Sequence, residues 1–273
     1  MSLFRHLIAS TLDKHAPVVS ARARYFWHVE VKGRVVYPDL TKRLFRAIDS
    51  KHAIAVDVGA NVGLFCRYLS HHFATVHAFE PVPYLADRLS RTAPSNCVIH
   101  PAAAGSLDGP LTLRIPVDAN GRHMHALTTA AETNSLGLFK ANAVEEIQSR
   151  ACKLDTALKG LKKIAFVKID VEGFEGAVIQ GATEILQQHR PLILMEIGRA
   201  HNPNYQSVID KLYGLGYQWF APSNEGLKSA SIDLIEAQPS SADALVGADP
   251  DDFQWDFLFV PSEMIELTKG LVI

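Results

Sequence analysis

The segment AIAVDVGANVGLF, residues 53 to 65, restricts this chain to a narrow range of folds. The apolar run AIAVDV has strand length. It enters the turn Gly59-Ala60-Asn61-Val62-Gly63 and then VGLFCRYLSHHF, which has helical spacing. A strand that turns through glycines into a helix is how parallel α/β sheets offer backbone N–H groups to a ligand. The turn is not the dinucleotide fingerprint G-x-G-x-x-G, which seats a pyrophosphate on a helix N-terminus. Asn61 replaces the middle glycine, and Asp57 precedes Gly59 at the carboxyl end of the strand. A carboxylate at that position repels a phosphate and attracts a cation.

The rhythm that follows is strand, helix, strand. TVHAFE, CVIHPAAA, IAFVKID (164–170), PLILMEIG (191–198), GYQWFA and WDFLFVP read as strands. VPYLADRLSRTA, a segment from about Gly176 to Gln188, and NYQSVIDKLYGLG read as helices. Near-continuous apolar strands alternating with helices predict a parallel sheet covered on both faces. The last two strands have no helical segment between them, so an antiparallel pair is expected at one end of the sheet. GSLDGPLTLRIPVDANG reads as a turn and a short strand. It opens a polar, small-residue insertion spanning about 105–150, of the kind that forms binding loops on the rim of such a sheet. Residues 222–254 read as an irregular excursion. YPDLTKRLFRAID has helical spacing, and the basic residues scattered through 1–50 read as a solvated face.

Bulk properties exclude several classes. A chain of 273 residues, 48% hydrophobic and 21% charged, suits one large domain, or one domain with an appendage. The net charge of -2 argues against a nucleic-acid partner. Cys66, Cys97 and Cys152 are odd in number and form no C-x-x-C pair, which points to reduced thiols in the cytoplasm. The N-terminal MSLFRHLIASTLDKHAP is too short and too charged for a signal peptide, and no stretch is long enough for a membrane span.

S-adenosylmethionine has the chemistry that Asp57 asks for: a sulfonium and an amino group, and no phosphate. Glu80 ends the next strand, about twenty residues on, where an acidic side chain can take both ribose hydroxyls. Pro81 then ends the hydrogen bonding of that strand. The two-part pattern D-x-G-x-N-x-G plus Glu80 is more specific than either half.

At this point the chain resembles the FkbM family of S-adenosylmethionine-dependent methyltransferases. The resemblance is carried by VDVGANVGLF, HAFEPVP, HPAAAGSLDG, LDTAL, VKIDVEGFEGAVIQGA and PLILMEIG, in that order, over residues 53 to about 220. It implies a class I methyltransferase fold: an α/β, Rossmann-like three-layer sandwich on a seven-stranded, mostly parallel sheet with one antiparallel strand. It leaves residues 1–50 and 222–254 uncovered; the expected organisation is a domain over 51–273, with 1–50 as a mostly helical extension packed on it. It also implies O-methylation of a sugar, glycoconjugate or secondary-metabolite hydroxyl. By motif position, Asp57, Gly59, Ala60, Asn61 and Gly63 would line the methionine end and Glu80 with Pro81 the ribose. Ala102, Ala103 and Ala104 would lie by the adenine.

An alcohol must lose its proton to attack a methyl group, so ionisable groups near the strand ends are the catalytic candidates. Asp170, Glu172 and Glu175 cluster in KIDVEGFE, and Glu196 ends the next strand. Lys168 and Asp170 are two apart in one strand and so share a side, where a buried lysine needs a partner. His201 lies just past a strand end. Lys168, Asp170, Glu172, Glu196 and His201 form the catalytic set. His123 and His125 form an H-x-H pair without further matching ligands. Several carboxylates admit Mg²⁺ or Ca²⁺, but a divalent metal is not the favoured reading. A nicotinamide-dependent oxidoreductase and a non-catalytic binding module are the alternatives. The expected partner is a small-molecule or glycan acceptor.

Overall fold

The computed structural model describes residues 38–121, 123, 128–130, 143–223, 225–240 and 254–271. Its centre is a sheet of β1 (Ile54–Val58), β2 (Thr75–Phe79), β3 (Cys97–His100), β7 (Ile164–Ile169), β8 (Leu192–Glu196), β9 (Tyr217–Pro222), β10 (Leu227–Ser229) and β11 (Asp256–Pro261). The strand order is β10-β9-β11-β8-β7-β1-β2-β3. Counting the seven core strands in chain order and leaving β10 aside, the sheet runs 3-2-1-4-5-7-6. From β3 to β8 all pairings are parallel. β11 runs antiparallel to both β8 and β9.

Eight strands, two of them reversed, replace the seven with one reversed expected from the sequence. The extra strand, β10, pairs antiparallel with β9 at the sheet edge. It belongs to the stretch read as irregular. A helix, α8 (Ile232–Glu236), follows it, so a helical segment does separate the last two core strands. Three residues of strand and five of helix are too short for hydrophobic periodicity to reveal them.

Helices cover both faces. α1 (Pro38–Ala47) and α2 (Leu64–Ser70) pack Leu40, Leu44, Phe45, Phe65 and Leu69 against Ala55, Phe166, Leu194 and Leu258. Phe45 and Phe166 meet edge to face at 5.1 Å. Burying a phenylalanine such as Phe166 contributes roughly 1.5–3 kcal/mol. The opposite face packs α5 (Glu175–Gly181), α6 (Thr183–His189) and α7 (Tyr205–Gly214) on Val56, Val58, Val167, Ile169, Ile193 and Met195. The single helix expected over 176–188 is thus two, broken at Ala182.

The LDTAL segment explains that break. It forms α4 (Leu154–Ala157), and the Asp155 carboxylate accepts the backbone N–H groups of Glu184 and Ile185 at 3.0 and 2.9 Å. Asp155 caps the start of α6 from thirty residues away in sequence, where the local N-cap residue, Ala182, cannot. Asp155→Ala is expected to cost about 1–2 kcal/mol. A lower urea midpoint at unchanged m-value would register the loss, and an unmoved midpoint would mean that the cap contributes nothing.

The insertion holds a second sheet, in the order β4 (Ala103–Ala104), β6 (Ala143–Cys152), β5 (Gly109–Val117). CVIHPAAA is therefore two strands in two sheets. The short strand expected from GPLTLRIPV has nine residues, paired along its whole length with β6. The sheet leans on α3 (Pro83–Thr92): Leu113 and Ile115 cluster with Val82 and Leu85. Ser149 Oγ donates to the Pro81 carbonyl at 2.6 Å. Residues 1–37 and His125 lie outside the described residues.

Candidate active site

The carboxyl ends of β1, β2, β7 and β8 converge on one cavity of about 280 Å³. It lies at the switch point, where the chain leaves β1 to opposite sides for β2 and β7. The glycine turn forms its floor. Gly59, Asn61 and Gly63 all adopt left-handed backbone, with φ of 82°, 49° and 81°. Asparagine tolerates this region better than most residues, so Asn61 can replace a glycine here. Gly59 is also bound sterically: a Cβ on it would lie 1.8 Å from the Asp170 carbonyl oxygen. The Gly59 and Ala60 N–H groups donate to the Phe79 carbonyl at 3.1 and 3.0 Å. The turn is thereby fastened to β2 on one side while it touches the end of β7 on the other.

Glu80 closes the loop. Its carboxylate accepts the Asn61 N–H at 2.7 Å on one oxygen and the Val82 N–H at 2.8 Å on the other. Each oxygen keeps lone-pair capacity, and the residue lines the cavity. Burial pushes its pKa up to about 7 against those two hydrogen bonds.

Gly59, Asn61, Glu80, Pro81, Ala103, Ala104, Asp170, Glu172 and Glu196 of the expected site residues line the cavity together. Ala60 is buried beneath the turn. Gly63 starts α2, with Leu89 where a Cβ would be. Ala102 sits just before β4 and donates its N–H to the His100 carbonyl. Asp57 is fully buried behind the cavity, and among the described residues neither carboxylate oxygen has a hydrogen-bond partner of good geometry. Burial lifts its pKa to about 6, although Lys168 opposes the rise.

Strand alternation builds the polar cluster. Lys168 is the register partner of Asp57, and Asp170 lies two residues further along the same side. Lys168 Nζ donates to Asp170 Oδ2 at 2.7 Å and sits 5.3 Å from the Phe65 ring centre. Burial would favour neutral lysine, but Asp170, Asp57 and Glu196 overcome it and keep Lys168 charged. Glu196 faces Asp256 directly across the β8–β11 pairing. Asp170, then burial, then Asp256 drive its pKa well above the ordinary range. Asp170, Glu172 and Glu196 have oxygens within 4.8 Å of one another, a spacing that a hard cation could bridge. Lys168 is the cation that the fold itself supplies there.

Glu172 adopts left-handed backbone, with φ of 50°, and Gly173 follows at 95°. Such strain in a non-glycine residue costs of order 1 kcal/mol and gathers at functional sites. His201 Nδ1 lies 2.6 Å from Glu172 Oε2. Since an ionised carboxylate only accepts, Nδ1 carries the proton. Burial lifts the Glu172 pKa even against His201. Burial also works against protonated His201, but Glu172, with Glu175 and Asp170, overcomes it and raises the His201 pKa. His201 does not line the main cavity. It borders a small chamber with Asp170, Glu172, Glu175, Glu196 and Gly198.

Several site residues carry no sequence signal. Thr129 Oγ1 donates to the Glu172 carbonyl at 2.7 Å, tying the insertion to the KIDVEGFE loop. Thr128, Ala130 and Leu113 complete the cavity wall from the insertion, and Phe174 from the KIDVEGFE loop. Glu175 is buried and accepts the Gly173 N–H and the Asn202 amide. His123 pairs with Glu145 on the inserted sheet and does not line the cavity.

These raised carboxyls set a pH dependence. A carboxyl with a higher pKa in the folded chain binds its proton more tightly there, so stability declines as pH rises through that value. Glu80 and Glu175, both raised from 4.5 to about 7, place the decline between about pH 4.5 and 7, with its last part reaching about pH 8. The raised pKa of His201 acts in the same direction. His72, His77 and His100 have pKa values lowered from 6.5 and act the opposite way, mainly below about pH 6.5. The ligand-free protein is expected to have a lower Tm at pH 8 than at pH 6.5. A higher Tm at pH 8 would contradict these assignments.

A sheet with the seventh core strand reversed between the fifth and sixth, and a ligand cavity over the first, is the class I methyltransferase fold. The chain belongs to the FkbM methyltransferase family, whose domain matches residues 57–219. It is 30% identical to the 31-O-demethyl-FK506 methyltransferase FkbM of Streptomyces tacrolimicus, over 68% of this chain and 80% of that one. It is 29% identical to the methyltransferase sdnD of Sordaria araneosa, over 47% of this chain and 60% of that one. Among solved structures, the methyltransferase FkbM of Methylobacillus flagellatus KT aligns with a TM-score of 0.44 at 14% identity, over 77% of this chain and 44% of that one. Among the described residues, no helix is long and apolar enough to cross a membrane.

Proposed function

We propose that the protein transfers a methyl group from S-adenosylmethionine to a hydroxyl of a sugar, glycoconjugate or secondary metabolite. The observation that carries this reading is the Glu80-braced glycine turn, opening onto a cavity that is also lined by Glu172, itself paired with His201. Glu80 has lone pairs left for ribose hydroxyls. The buried, donor-poor Asp57 suits a neighbouring positive charge and disfavours a phosphate. When bound, the cofactor supplies a methyl group on a cationic sulfur.

Three carboxyls from the expected catalytic set line the cavity. Asp170 is occupied by Lys168. Glu196 is crowded by Asp170 and Asp256, which with burial raise its pKa well above the ordinary carboxyl range and so favour its protonated form. Glu172 remains as the group that takes the proton of the attacking hydroxyl, with His201 orienting it. As the hydroxyl takes up the methyl group, its proton would pass to the Glu172 carboxylate. Leu113, Thr128 and Ala130 from the insertion would wall the acceptor side.

Calorimetric titration with S-adenosylhomocysteine, and with NAD for comparison, tests the reading. Saturable binding of the first alone, weakened in Glu80→Gln, is expected. Binding of NAD without S-adenosylhomocysteine would remove the methyltransferase assignment.

A further inference from the structure

We propose that Gln238 is a positioning residue for this site: it holds the loop 197–204 so that His201 keeps the Glu172 carboxylate aimed into the cavity. The inference rests on Glu172 being the proton acceptor.

Gln238 lies in the polar stretch after α8, and its side chain is 2% exposed. Its amide has two donor hydrogens and one acceptor oxygen, and the loop and its neighbour use all three. Oε1 accepts the Arg199 N–H at 2.7 Å. Nε2 donates to the Ile197 carbonyl at 2.9 Å and to the Gln254 carbonyl at 2.5 Å. The Arg199 guanidinium donates to the Glu236 carbonyl at 2.7 Å, fastening the same loop to the end of α8.

The loop has a second anchor beyond His201. Asn202 is buried, donates to Glu175 Oε2 at 2.6 Å and accepts the Asn204 N–H at 3.0 Å. Between the anchors the chain makes one tight turn, with the His201 and Asn202 N–H groups both directed to the Gly198 carbonyl. His201 is thus suspended between Gln238 on one side and Asn202 on the other. The charged groups facing its ring are Glu172, Glu175 and Asp170. Ile197 donates its own N–H to the Trp255 carbonyl at 2.9 Å, one step past the β8–β11 pairing, but the three groups that Gln238 engages lie outside the strands: residues 197 and 199 follow β8, and residue 254 precedes β11. A side chain without hydrogen-bonding capacity would leave the buried Ile197 carbonyl and the half-buried Arg199 N–H and Gln254 carbonyl without this partner, and the turn would drift.

The readout is the imidazole N–H proton of His201, observed by NMR in the full chain. At 2.6 Å from Glu172 Oε2 this proton should be shifted downfield and protected from water exchange; it should be absent in His201→Gln, which assigns it. Gln238→Met keeps the volume and removes all three hydrogen bonds. The expected result is loss of the protected resonance, with S-adenosylhomocysteine affinity within about threefold of the parent protein. A folded Gln238→Met that keeps the resonance overturns the proposal. Should that variant fail to fold, Gln238→Glu keeps the acceptor for Arg199 and removes both donations, and is read the same way. In the unaltered protein, the Arg199 amide should resist deuterium exchange; exchange at the rate of an open loop overturns the proposal independently of any variant. If the unaltered protein fails to bind S-adenosylhomocysteine, the methyltransferase reading falls, while the His201 measurement still stands on its own.

Discussion

Replacing Glu172 with glutamine is expected to lower methyl transfer by about 10²–10⁴-fold, the usual contribution of a positioned general base. Glutamine has the same shape and can still accept the His201 Nδ1–H, so the 2.6 Å contact and the local backbone should survive. What disappears is the capacity to accept a proton. The loss should fall on kcat, with S-adenosylhomocysteine affinity nearly unchanged, since in the proposed reading the cofactor is held by the turn and Glu80, and glutamine keeps the shape of the Glu172 side chain. The acceptor for this assay comes from a screen with labelled methyl donor. Full kcat in Glu172→Gln would move the base elsewhere.

Gly59→Ala is expected to be the most destructive single substitution in the turn. Two independent costs combine. Alanine at φ of 82° carries the left-handed penalty of about 1–2 kcal/mol. Its Cβ would also lie 1.8 Å from the Asp170 carbonyl oxygen, which is backbone at the end of β7 and can retreat only if β1 and β7 separate. That carbonyl belongs to the loop bearing Asp170 and Glu172, so the damage reaches the catalytic wall. A loss of about 3–5 kcal/mol is expected, together with loss of cofactor binding. Gly63→Ala provides the control: its φ is similar, 81°, but its Cβ would meet the tip of the Leu89 side chain, which can rotate away. Urea unfolding of both variants should rank Gly59→Ala as clearly worse. The reverse ranking would mean that the β1–β7 contact is softer than its geometry implies.

Much of this site was legible before folding was considered. AIAVDV followed by glycines imposes a strand, a turn and a helix because apolar runs bury and left-handed turns need glycine or asparagine. Asp57 and Glu80 mark the carboxyl ends of adjacent strands, and the two-residue spacing of Lys168 and Asp170 anticipates their ion pair. Each of these inferences uses only local periodicity and residue chemistry.

The rest depends on which segments meet. The strand order, the reversal of β11 and the edge strand β10 are not periodic features of any one segment. Asp155 as the cap of α6, Thr129 on the Glu172 carbonyl and Gln238 under the His201 loop join residues 30, 43 and as many as 41 positions apart. Polar side chains such as these look in sequence like any solvated residue. Only burial, which leaves backbone groups needing partners that water can no longer supply, turns them into determinants of the site.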